Sequence, residues 1–141
     1  MIIFQTDDIE MPLINEAIVS EWVKQVASTY QKRCGKIAYI FCSDNKILEV
    51  NREYLQHDYY TDIITFDYCR GDVISGDLVI SLETVRSNSE MLGVSYEREL
   101  DRVIIHGILH LCGINDKAPG EREIMENEEN KALELLNKIR G

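Results

Sequence analysis

The chain has 141 residues, 45% of them hydrophobic and 28% charged, which suits one soluble domain with a single buried core. Acidic residues outnumber basic ones 25 to 15, for a formal net charge of −10. That balance counts against a protein that grips nucleic acid broadly through phosphates, although a small basic cleft on an acidic body is compatible with it.

No apolar run approaches the ~18 residues of a membrane span. The start, Met1-Ile2-Ile3-Phe4-Gln5-Thr6-Asp7-Asp8, lacks the basic segment and small-residue cleavage site of a signal peptide. The expectation is a cytoplasmic protein with no membrane partner. Cys34, Cys42, Cys69 and Cys112 form no CxxC pair and read as reduced, mostly buried thiols.

Taken in chain order, residues 2–5 read as a short strand. Apolar residues Ile14, Ala17, Ile18, Trp22, Val26 and Tyr30 fall at helical spacing, which predicts a helix from Leu13 to about Arg33 with Gly35 just past its end. Ile37 to Cys42 is β-rich. Ser43 or Asp44 then caps a helix running through Ile47, Leu48, Val50 and Tyr54. Residues 62–68 and 76–81 read as strands joined by a hairpin connection across Cys69–Ser75, with Gly71 and Asp72 in it.

A helix follows from Ser81 to about Leu92, stopped by Gly93. The next starts at Ser95 and runs through Leu100, Val103, Ile104, Gly107, Leu109 and Leu111 to Gly113. The last, from about Pro119 to Ile139, carries Ile124, Ala132, Leu135, Leu136 and Ile139 on its apolar face. Strands early and helices late predict an α+β fold: one domain over residues 1–141, with a mixed sheet of about four strands packed with helices.

The most informative stretch is the end of the helix that stops at Gly113, with the residues just after it: His106-Gly107-Ile108-Leu109-His110-Leu111-Cys112-Gly113-Ile114-Asn115-Asp116. Residues i and i+4 share a helix face, so His106 and His110 can address one ion. Gly113 lets the chain turn sharply out of the helix, and Asp116 can swing back as a third ligand, with Asn115 as a competing oxygen donor. Two imidazoles, one carboxylate and an open position suit catalytic zinc, and nickel or manganese as well. Lys117 cannot ligate while protonated. Histidines so spaced also occur as hydrogen-bonded core residues. Gly107 stands where a zinc protease carries its glutamate base, which argues against a peptidase. No residue identifies itself as a general base.

At these residues the chain resembles the YbeY family of single-domain bacterial metal-dependent endoribonucleases, also described as ribosomal RNA maturation factors. The family pattern HGxLHLxGxDH is matched from His106 to Gly113. Two further blocks resemble it: Asn51-Arg52-Glu53-Tyr54 followed by Thr61-Asp62-Ile63-Ile64-Thr65-Phe66, and Gly76-Asp77-Leu78-Val79-Ile80-Ser81. The resemblance covers about residues 44–117.

It implies a zinc-dependent endoribonuclease acting on ribosomal RNA precursor, with the ribosomal subunit or its proteins as partners. His106, His110 and Asp116 would be the metal ligands. Asp116 stands at the family's third histidine and Asn115 at its aspartate. Leu55 replaces an arginine tied to RNA processing, and Tyr60 replaces a proline. Arg52 or His57 would supply the polarity lost at Leu55. Tyr54, Tyr59 and Tyr60 would offer stacking surfaces for bases, and Arg86 and Arg102 fall near the expected cleft. The acidity and Leu55 also suit a non-catalytic ribosome-assembly factor with a structural metal.

Overall fold

The computed structural model describes residues 1–57 and 61–141. Along them run β1 (Ile2–Thr6), α1 (Glu16–Thr29), β2 (Arg33–Cys42), α2 (Asp44–Leu55), β3 (Ile63–Asp67), β4 (Val73–Ser81), α3 (Leu82–Leu92), α4 (Tyr96–Leu111) and α5 (Glu121–Arg140). The sheet order is β1-β2-β4-β3. The first three strands in that order are parallel and β3 is antiparallel at the edge, so the sheet is mixed and the fold α+β.

The two faces of the sheet are unequal. Tyr39, Phe41, Leu78 and Ile80 join the main core with residues of α1, α4 and α5, while Cys42, Ile47, Ile64 and Val79 form a small core beneath α2. Side chains alternate across a strand, which is how Leu78 and Val79 reach different cores.

Two buried hydrogen bonds seat the helices. Tyr39 donates its hydroxyl to the Ile104 carbonyl of α4 at 2.9 Å, and Trp22 of α1 donates its indole N–H to the Ala132 carbonyl of α5 at 2.7 Å. Gly107 completes the seating: a Cβ there would stand 2.9 Å from both Ile63 Cδ1 and Leu78 Cδ2. Its missing side chain is what lets α4 lie directly on the sheet.

The expected helix from Leu13 to Arg33 is shorter at both ends. Asn15 caps it, its side chain accepting from Ile18 N at 3.1 Å. Gln31 ends it in a left-handed conformation (φ 58°), with Lys32 N bonded to Ala27 O. Arg33 and Gly35 therefore belong to β2. Gly35 is no helix stop. It permits close strand contact, since a Cβ would lie 2.5 Å from Ser75 Oγ. The buried face of α5 is Met125, Glu129, Ala132, Leu133 and Leu136, and the expected Ile124 is 54% exposed. Among the described residues no helix is long and apolar enough to cross a membrane.

Candidate metal centre

The last turns of α4 carry both histidines on one face, one turn apart. Cys112 closes the helix, and Gly113 (φ 100°) takes the left-handed position after it. Gly113 N bonds His110 O and Ile114 N bonds Leu109 O, both at 3.0 Å. This paired closure, a Schellman motif, reverses the chain and packs Ile114 against the core. The reversal returns Asp116 to the histidines.

The Nε2 atoms of His106 and His110 lie 3.1 Å apart, and Asp116 Oδ2 is 3.4 Å from each. Among the described residues these three offer ligand atoms close enough together to hold a metal ion. Bonds of ~2.0–2.1 Å place tetrahedral ligand atoms about 3.3–3.4 Å apart, so the spacing fits a divalent ion of zinc's size. Asn115 and Lys117 are exposed beside the half-buried Asp116. The side chains of His106, His110 and Asp116 remain 17–28% exposed, so the cluster is open to solvent.

His106 is oriented from behind. Buried Glu129, from α5, accepts from His106 Nδ1 at 2.6 Å, which leaves the Nε2 lone pair facing His110 and Asp116. Burial, followed by the neighbouring His106, holds His110 below the usual imidazole pKa. It is therefore neutral, as a ligand must be, over a wider pH range.

Arg102, one turn before His106, is anchored among acids. It donates to Glu99 at 2.9 and 2.5 Å and to both oxygens of Glu129 at 3.3 Å, and lies 3.7 Å from Asp62 Oδ2. These partners hold it firmly protonated. Burial pushes the Asp62 carboxyl up, against the pull of Arg102. Counting Asp116, four carboxylates of the described residues gather around the Arg102 guanidinium and two imidazoles. The local charge is formally negative, which favours a cation between the imidazoles.

The family profile for Endoribonuclease YbeY matches residues 2–137. The chain belongs to the YbeY family. It is 70% identical to the endoribonuclease YbeY of Phocaeicola vulgatus over 137 residues, covering 97% of this chain and 99% of that one. It is 51% identical to that of Porphyromonas gingivalis over 138 residues, covering 98% and 91%. The solution structure of TM1509 from Thermotoga maritima has the same fold, with a TM-score of 0.68 at 25% identity, covering 96% of this chain and 89% of that one.

Other residues singled out for a YbeY-like site are placed unevenly. Arg102 adjoins the triad, but three carboxylates engage it. Arg86 stacks at 4.2 Å on the ring of Tyr96, which opens α4 about 15 Å before His106 along the helix. Gly76 faces Leu111 of α4, so Asp77 points to the opposite side, into a hollow with Tyr54, Phe66 and Tyr68. Tyr54 meets Phe66 edge-on there and is 63% exposed. Leu55 is exposed at the end of α2, where Arg52 also lies, and His57 N bonds Asn51 O just beyond it. Tyr59 and Tyr60 lie outside the described residues. The four cysteines are free, and burial pushes Cys42 and Cys112 up to about 12.

Glu129 and Glu99 were not expected from the sequence. The available signal was a glutamate interrupting an apolar stripe, between Met125 and Ala132. A charge at a core position requires a partner.

Proposed function

We propose that the protein, acting as one unit over residues 1–141, is a metal-dependent endoribonuclease of the cytoplasm. Its substrate would be single-stranded segments of ribosomal RNA precursor, cut during ribosome maturation. The convergence of His106 Nε2, His110 Nε2 and Asp116 Oδ2 carries this reading, and the family's name supplies the substrate class. Zinc suits the two nitrogens and one oxygen best, with nickel or manganese as substitutes. A divalent ion bound there would lower the pKa of a coordinated water and withdraw charge from a phosphoryl oxygen.

The chain's own residues do the rest. His106 and His110 present unprotonated nitrogens, Asp116 supplies a negative oxygen, and Glu129 fixes one imidazole. Gly107 faces the sheet, so the position of a protease's glutamate has neither room nor direction to serve the site. RNA reaches the triad as an unpaired strand or loop, where phosphates and bases are accessible on one side. The net charge of −10 limits binding elsewhere on the surface and leaves the ion as the attraction for phosphate.

The exposed Leu55, at the position of the family's arginine, supports a second reading: an assembly factor that binds the ribosomal subunit or its proteins and holds a structural metal. One experiment separates the two. Purified wild type and His110→Ala are given labelled ribosomal RNA precursor with Zn²⁺ or with EDTA. Zn²⁺-dependent cleavage that His110→Ala abolishes supports the nuclease. Binding without cleavage, indifferent to EDTA, supports the assembly factor.

A further inference from the structure

The ion network behind the triad is larger than one histidine needs. Glu99 and Glu129 are almost wholly buried, at 1% and 3% exposure, and come from different helices. Burying two carboxylates is unfavourable unless a cation neutralises them and their oxygens are hydrogen-bonded. Arg102 meets both demands with one planar fork, donating Nε and one terminal nitrogen to Glu99 and the other terminal nitrogen to Glu129. A lysine in its place could not span both acids with fixed geometry.

The chain of contacts is directional. Glu99 orients the guanidinium, the guanidinium orients the Glu129 carboxylate, and Glu129 Oε2 accepts from His106 Nδ1 at 2.6 Å. Without Arg102, the Glu129 carboxylate would lose the donor that fixes its orientation and turn toward water. A Glu129 carboxylate turned away no longer accepts from His106 Nδ1, and the tautomer and pitch of His106 are released.

Resting on the metal reading above, we infer that Arg102 is a positioning residue. Through Glu129 it locks His106 in its ligating tautomer and so sets the affinity of the His106–His110–Asp116 triad for a divalent cation. This assigns Arg102 to the ion, and not to the phosphate backbone of a substrate.

The test is Zn²⁺ affinity by chelator competition, with Co²⁺ absorption reporting ligand geometry, on full-length protein shown by circular dichroism to be folded. Glu129→Gln and Arg102→Met each weaken Zn²⁺ binding about 10- to 100-fold, the range for lost support behind a metal-bound histidine. Arg102→Lys, which keeps the charge and loses the fork, falls between them and wild type and decides the matter if Arg102→Met does not fold. Because Arg102 acts through Glu129, adding Arg102→Met or Arg102→Lys to Glu129→Gln lowers affinity by less than about twofold more.

Zn²⁺ affinity within twofold of wild type in the Arg102 variants overturns the inference. So does a double-variant loss equal to the product of the single ones. His110→Ala separates the two levels: if wild type binds no Zn²⁺ through His110, the ligand reading fails and the relay with it. If His110→Ala abolishes binding while Arg102 and Glu129 variants do not weaken it, only the relay fails.

Discussion

Helix α4 meets α5 through two charged contacts that start from adjacent residues and end differently. Buried Asp101 accepts from Arg140 at 3.0 and 3.5 Å, one acid to one guanidinium, and ties the end of α5 to α4. Arg102 faces three carboxylates, and the contacts run on through Glu129 to His106 and the triad. The first contact is balanced and closes on itself. The second carries surplus negative charge toward two imidazoles whose Nε2 atoms converge. A structural staple needs only neutrality, whereas the surplus beside His106 and His110 suits a site completed by a cation.

Asp116→Ala would test that difference most severely. It removes one of the three proposed ligands, so the affinity for Zn²⁺ should fall more than the 10- to 100-fold typical of a supporting residue, and RNA cleavage should fall with it. Full metal occupancy by elemental analysis would strike Asp116 from the ligand set. Gly107→Ala acts on the seating of α4 and not on the ligands. Its Cβ would press on Ile63 and Leu78, and thermal denaturation should show a loss of about 1–3 kcal/mol. No change in Tm would mean that α4 shifts freely against the sheet.

Arg140→Met breaks the balanced contact. Its side chain is 45% exposed, so solvent screening limits the expected loss to roughly 1 kcal/mol of stability. Zn²⁺ affinity should stay within twofold of wild type, and a larger drop would mean that the two contacts are not separate. A smaller effect concerns pH. The pKa of His110 is depressed in the fold, so between that value and its unfolded value, about 6.5, the unfolded chain binds more protons. Metal-free protein should therefore lose stability as pH falls below about 6.5, and His110→Ala should flatten that slope in urea titrations. An unchanged slope would remove His110 as its source.

The triad was legible in the sequence because its geometry is local. Two histidines four residues apart, a glycine and then Asp116 are all bound by one helix turn and one Schellman closure. The four strands and the mixed sheet were legible from alternation and turn residues. The partners behind the triad were not, since Glu129 lies on α5, 19 residues beyond His110, and reaches His106 only through tertiary packing. The same applies to Asp77. Its neighbour in the motif faces α4, yet strand alternation turns Asp77 to the other side of the sheet. At the end of α1, Gly35 looked like a stop signal because glycine ends helices often. Here Gln31 takes the left-handed position, and Gly35 serves the approach of β2 to β4.

The most direct test is the count of divalent ions per chain. Protein equilibrated with Zn²⁺ and then dialysed should retain one ion in wild type and none in His106→Ala or His110→Ala, with both variants folded by circular dichroism. One ion retained in either folded variant would contradict the account, because the ion would then be held elsewhere than between the two imidazoles.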